Sequence, residues 1–155
     1  MPVRSDNKPV TMTSQTQIVM PPHVSGAGRL LDEQLMAWVD MAASAEARRH
    51  ARRYQVINAV VDNMGFLGPA FLDETVRIDA RIIWTGRTSL EVRVDSFAES
   101  SAKAERLINQ SYLLFIVLDT EGKPTPVSPF VPSSEEEKQE WTRAEKRQAE
   151  RHKAE

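Results

Sequence analysis

One carboxylate, Asp40, sits among Met36, Val39, Met41 and Ala43 in the stretch LMAWVDMAASAEARRHARR, residues 35–53. Two uses of it stand open. It marks where the wet side of a helix begins, or it does the acid–base work that a positioned carboxylate can do. Few other residues compete for a chemical role. There is no cysteine, which excludes disulfides, thiolate metal ligands and a cysteine nucleophile. His23, His50 and His152 are far apart and share no ligand spacing, so a protein-built metal site is not expected. GRTS, residues 86–89, lacks the lysine and the glycine spacing of a phosphate-cradling loop, and no G-x-S-x-G elbow presents a serine. A net charge of -2 gives no reason to expect nucleic acid.

The elements that must hold Asp40 follow from periodicity. At 155 residues the chain suits one domain. Residues 1–10 read as a flexible arm, 11–132 as the domain and 133–155 as a charged C-terminal helix. No apolar run reaches the ~20 residues of a membrane span, and the N-terminus lacks a secretory apolar core, so a cytoplasmic protein without a membrane partner is expected. Residues 17–20 suggest a short strand stopped by Pro21 and Pro22. Residues 30–53 have helical spacing, with Leu31, Leu35, Val39 and Ala42 on one arc and Trp38 and Ala45 just beside it. Asp32 and Glu33 in the first turn, and Arg48, Arg49, Arg52 and Arg53 near the last, suit the helix dipole. Asp40 falls outside the main arc, near Glu33 and Ser44; a residue there is solvated unless a second subunit packs over it.

Strands follow. Residues 54–66 are rich in β-branched types and carry Asn58 and Asp62, polar groups that line a site or satisfy an interface. Residues 74–84 alternate, with Val76, Ile78, Ala80 and Ile82 on one face, and 89–99 alternate again. The apolar run 111–119 predicts a central strand covered on both faces. With one major helix inside the domain, another subunit is the expected cover for the second face. In the charged tail, Ser134 and Glu137 form a capping box, and Trp141 is the anchor that docks a solvated helix. The order predicts an α+β fold with one long helix on a sheet of about five antiparallel strands.

The stretches WVDMAASAEARRH, VDNMGF, GRTSLEVRVD, INQSYLLFIVLD and GKPTPV, in that order, closely resemble the hot-dog acyl-CoA thioesterases of the acyl-CoA hydrolase branch. The resemblance covers roughly residues 17–150. It implies a long central helix wrapped by an antiparallel sheet and a cytoplasmic dimer or a hexamer built as a trimer of dimers. It also implies active sites between subunits, hydrolysis of acyl-CoA to a carboxylic acid and CoA, and no cofactor, the CoA thioester being the substrate. Asp40 stands at the position of the helix acid that serves water. Gly86, Arg87, Thr88 and Ser89 become candidate CoA contacts, beside the bland alternative of a plain hairpin turn. Asn58 and Asp62 join the candidate substrate-binding residues.

The loop before the helix departs from the family pattern of an asparagine, a glycine and then a glycine pair. Gly28 fits, Ser25 stands at the asparagine position, and Asp32 and Glu33 replace the pair. The backbone N–H of Glu33 is the candidate oxyanion donor. A charge ~4 Å from a developing oxyanion opposes it by about 4 kcal/mol at an effective dielectric of ~20, enough to offset the ~3–4 kcal/mol of a good donor. Turned to solvent, the two acids leave the amides free to work. The alternative to an active enzyme is therefore a catalytically impaired acyl-CoA-binding homologue.

Overall fold

The computed structural model describes residues 12–52 and 54–154, so the expected N-terminal arm and Arg53 lie outside the described residues. The elements in chain order are β1 (Thr13–Ile18), α1 (Asp32–Ala51), β2 (Gln55–Phe66), β3 (Thr75–Thr85), β4 (Ser89–Glu99), β5 (Arg106–Leu118) and α2 (Glu135–Ala154). The five strands make one antiparallel sheet in the order β1-β3-β4-β5-β2.

The alternation in β3 and β4 is realised as two faces. Val76, Ile78 and Ala80 of β3, with Leu90, Val92 and Val94 of β4, are buried beneath α1. The helix meets them with Leu35, Trp38, Val39, Ala42, Ala43 and Ala47, all buried. Three alanines on this arc let the helix axis approach the sheet, so larger sheet residues such as Phe115 and Leu113 fill the layer. Each Val, Leu, Ile or Phe so buried contributes roughly 1.5–3 kcal/mol.

The second face is where the structure corrects the sequence reading. Within the chain, α2 packs there. Ile83, Trp84, Tyr112 and Ala144 form a second apolar cluster with Leu114 and Trp141. A register shift between Ile82 and Trp84 changes the phase of β3, which sends Ile82 to the α1 core and Trp84 to the α2 side. Around this cluster the contacts are ionic. Arg147 Nε donates to Glu91 Oε1 at 2.9 Å and Gln148 Nε2 to Glu91 Oε2 at 2.7 Å. Trp84 Nε1 donates to Glu145 Oε1 at 2.8 Å, and the Arg147 guanidinium lies 3.9 Å from the centre of the Tyr112 ring. Burial pushes the Glu91 carboxyl above the ordinary carboxylate range, against the opposing pull of Arg147 and Arg151. Two arginines of α2, Arg147 and Arg151, are thus matched to the sheet carboxylates Glu91 and Asp62. The capping box is realised as expected: Glu137 N donates to Ser134 Oγ at 3.0 Å, and Ser134 N to Glu137 Oε1 at 3.3 Å.

Two strands, β1 and β5, begin earlier than expected. β1 begins at Thr13 rather than at 17, because its residues are polar and only half-buried on the inward side, and so give no apolar alternation. β5 begins at Arg106 rather than at 111. Its polar start is satisfied within the sheet: Asn109 Nδ2 donates to Gly65 O at 3.0 Å and Ser111 Oγ to Asn109 Oδ1 at 2.9 Å. Arg106 itself grips Glu74 through two bonds, Nη2 to Oε1 at 2.6 Å and Nη1 to Oε2 at 3.0 Å, and Nη2 also reaches Pro69 O at 2.9 Å. The Arg106 hydrogen bonds hold the Glu74 carboxyl below its ordinary 4.5. A folded-state value below the unfolded one adds stability above the unfolded pKa, and that stability is lost as pH falls through the folded value. Glu74→Gln is therefore expected to be less stable at neutral pH and to lose less stability on acidification, as read by urea denaturation at a series of pH values.

Candidate active site

The loop that delivers α1 is tied down on both sides. Ser25 N donates to Arg29 O and Gly28 N to Ser25 O, both at 2.9 Å, closing a turn in which Gly28 takes a φ of 77°, a region open to glycine at little cost. Leu30 N donates to Ala70 O at 2.8 Å and Leu31 N to His23 O at 3.0 Å. The His23 ring meets Trp38 edge-on at 5.0 Å, which locks this loop to the buried side of the helix. Leu31 is the N-cap, and its carbonyl takes the first helical bonds from Gln34 and Leu35, each at 3.1 Å. The N–H groups of Asp32 and Glu33 have no acceptor among the described residues. They point from the positive end of the helix dipole. Beside them lies a shallow concavity of about 450 Å³ lined by Ser25, Arg29, Leu30, Leu31, Asp32 and Glu33. The Asp32 and Glu33 side chains are both exposed.

Asp40 lies seven residues after Glu33, about 10 Å along the axis and on nearly the same side of the helix. It is exposed in the single chain. Its orientation is fixed from the sheet: Asn58 Nδ2, on β2, donates to Asp40 Oδ1 at 2.9 Å. The second carboxylate oxygen has no partner among the described residues and is left for another donor. Exposed apolar side chains share this flank, Met41 on α1 and Val61 on β2, with exposures of 58% and 46%. Apolar exposure around a fixed carboxylate is what a second molecule closing over it would bury.

The sequence candidates separate here. Asn58 joins Asp40, but Asp62 does not. A bulge between Asn58 and Val60 leaves Ala59 without a partner on β5, so Asn58 pairs with Phe115 on the α1 face and Asp62 with Tyr112 on the α2 face. There Asp62 is engaged by Arg151. Ser25 stays in the pre-helix turn, half-buried.

Gly86, Arg87, Thr88 and Ser89 form the β3–β4 turn, closed by Gly86 N to Ser89 O at 2.8 Å. A Cβ on Gly86 would stand 2.6 Å from the Trp84 ring, which accounts for glycine there. The carbonyls of Thr88 and Arg87 accept from Val117 N and Val127 N, each at 2.9 Å, so the turn sits at the C-terminal end of α1. Arg87 is exposed and makes no ion pair among the described residues. A cavity of about 430 Å³ opens beside it, lined by His50, Ala51, Arg52, Tyr54, Val117, Pro126, Val127 and Ser128. Sequence reading did not find this cavity; its one local signal was the proline-flanked PTPV after β5, which folds back on the helix end. His50 lies ten residues past Asp40, about 15 Å along the axis.

A long helix held in an antiparallel sheet defines the hot-dog class, here with an oriented mid-helix carboxylate and free amides at the helix start. Residues 34–105 match the thioesterase superfamily. An uncharacterised acyl-CoA thioester hydrolase of Bacillus subtilis is 36% identical over 124 residues, covering 79% of this chain and 72% of its own. The acyl-CoA hydrolase of Bacillus cereus superposes with a TM-score of 0.86 at 32% identity, over 92% of this chain and 87% of that one. An apo-hexameric acyl-CoA thioesterase gives 0.86 at 30% identity, over 93% and 92%. A Staphylococcus aureus acyl-CoA hydrolase, solved with butyryl coenzyme A, coenzyme A and coenzyme A disulfide, gives 0.82 at 29% identity, over 93% and 90%. The chain belongs to the thioesterase superfamily and, within it, to the acyl-CoA thioester hydrolases. No helix among the described residues is long and apolar enough to cross a membrane.

Proposed function

We propose that this chain hydrolyses acyl-CoA to a carboxylic acid and CoA, with Asp40 as the base that activates water, in a site closed by a second copy of the chain. The observation that carries the reading is the fixed Asp40 carboxylate, bonded on one oxygen by Asn58 and, among the described residues, open on the other. Water bound to the open oxygen loses a proton to Asp40 as it attacks the thioester carbonyl carbon. The electron pair moves to the carbonyl oxygen, which the amides of Asp32 and Glu33 stabilise. Collapse of the tetrahedral adduct breaks the C–S bond, and the proton on Asp40 passes to the departing CoA sulfur. The CoA diphosphate is a partner for Arg87, whose guanidinium forks onto phosphate oxygens. Acyl-CoA is the substrate partner, and the self-association is a dimer or a trimer of dimers, supported by the apolar flank around Asp40 and by the hexameric relative.

The amides of Asp32 and Glu33, without an acceptor among the described residues, favour the active reading over a catalytically impaired binder, because replacing the glycines takes neither N–H away. The test is release of CoA thiol from a panel of acyl-CoA esters by the purified chain. Turnover, with Asp32→Gly and Glu33→Gly together raising it only a few-fold, is the expected result. Binding of CoA esters without turnover until both glycines are restored would favour the impaired homologue.

A further inference from the structure

Asn58 holds Asp40, and what holds Asn58 lies in the opposite layer of the molecule. β2 is an edge strand whose ladder within the chain is with β5 alone. Its phase changes at the bulge, so that Asn58 faces α1 while Val60 and Asp62 face α2. Without the bulge, Asn58, Val60 and Asp62 would share a face, since strand side chains alternate. A slip of one residue turns every side chain beyond it to the other side of the sheet. Two polar anchors of opposite facing therefore bracket the irregularity: Asn58 on Asp40 at 2.9 Å and Asp62 on Arg151. Arg151 also reaches across the intervening strand to Glu91 Oε2 at 3.6 Å, and Glu91 is fully buried in β4 near the centre of the sheet. Gln148 braces the same guanidinium, accepting from Arg151 Nη1 at 2.8 Å. The edge strand is thus tied through α2 to the central strand of the sheet.

We infer that Arg151 is a positioning residue for the reaction: by clamping Asp62 of the edge strand to Glu91 of the central strand, it keeps the β2 bulge in place and so keeps Asn58 bonded to Asp40 on the other face of the sheet. The inference rests on the thioesterase reading for its effect on rate and on geometry alone for its effect on Asn58. The charged C-terminal helix then belongs to the catalytic apparatus as well as to the core, although it packs on the face of the sheet opposite α1.

The test pairs kinetics with a signal that needs no substrate. Arg151→Gln is expected to lower kcat about 10- to 100-fold with KM within about twofold, the pattern of a misplaced group rather than of lost binding. Arg151→Lys, which keeps the charge, is expected to recover most of the rate. In an Asn58→Ala background, Arg151→Gln is expected to add less than about a twofold further loss, because both changes remove the same contact. In NMR spectra of folded protein, the Asn58 side-chain amide resonances are expected to move on Arg151→Gln and to return with Arg151→Lys. Rate losses that multiply in the double variant, or Asn58 resonances unmoved in a folded Arg151→Gln protein, would overturn the inference. If Arg151→Gln does not fold, Asp62→Asn, which keeps the side-chain shape, carries the same expectations. If the wild type hydrolyses no acyl-CoA, the thioesterase reading fails, and the NMR arm still decides the coupling.

Discussion

Replacing Asp40 with asparagine is expected to lower kcat by about 10²- to 10⁴-fold, the range of a lost general base, while KM changes little. The substitution keeps the side-chain shape, and Asn58 can still bond the remaining carbonyl oxygen. The protein should therefore fold as before and bind the CoA ester as before. What is lost is the lone pair that accepts the proton of water. A parallel rise in KM would instead mean that Asp40 serves binding. An unchanged kcat would remove it from the chemistry. The measurement is steady-state release of CoA thiol, with both parameters resolved.

The second large effect is on stability and lies far from Asp40. Arg147→Ala is expected to cost about 3–5 kcal/mol, the range for removing one partner of a buried ion pair. It strips Glu91, which has no exposed surface, of its main counter-charge and also removes the guanidinium from the Tyr112 ring. The deficit should depend on pH in a stated direction. Burial already holds the Glu91 carboxyl above its unfolded value of 4.5, so its contribution is complete below that value and is lost as pH rises through the folded one. Without Arg147 the folded value climbs further. The variant should therefore fall further behind the wild type at about pH 8 than at about pH 4, and Glu91→Gln should largely abolish that difference. Chemical denaturation at the two pH values is the measurement; a deficit independent of pH would mean that lost packing, and not the ion pair, dominates.

The α1 arc and the β3 and β4 alternation were legible because burial on one face leaves a period in the chain, 3.6 for Leu35, Val39 and Ala42 and 2 for Val76, Ile78 and Ala80. The identity of the second cover was not. A charged helix docked on a charged sheet face has no apolar stripe to announce it. Glu91, Arg93 and Asp95 are charged and alternate with the apolar residues of β4, yet Glu91 is buried and Arg93 Nη1 donates to Glu140 at 3.3 Å. Asp40 was legible as a candidate from its place in the helix, and its orientation was not, because that depends on Asn58 arriving from an edge strand across a bulge. The same bulge explains why Asn58 and Asp62, four residues apart and expected together, part company. A bulge adds one residue without altering composition, so alternation alone assigns everything after it to the wrong side.

The departure at the helix start also takes a physical form. Asp32 and Glu33 are first-turn acids with exposed side chains, favourable to the dipole, while their N–H groups carry no acceptor among the described residues. Aspartate and glutamate keep the backbone N–H that glycine has, so the absence of two glycines removes neither donor.

The central claim is that water, activated by Asp40, attacks the thioester directly. A single turnover in heavy-oxygen water, with enzyme in excess over acyl-CoA, tests it most directly. Mass spectrometry should find the heavy atom in the carboxylic acid product of that first turnover and none in the Asp40 peptide. An unlabelled first product with the label in Asp40 would show that the carboxylate itself had attacked, and would contradict the account.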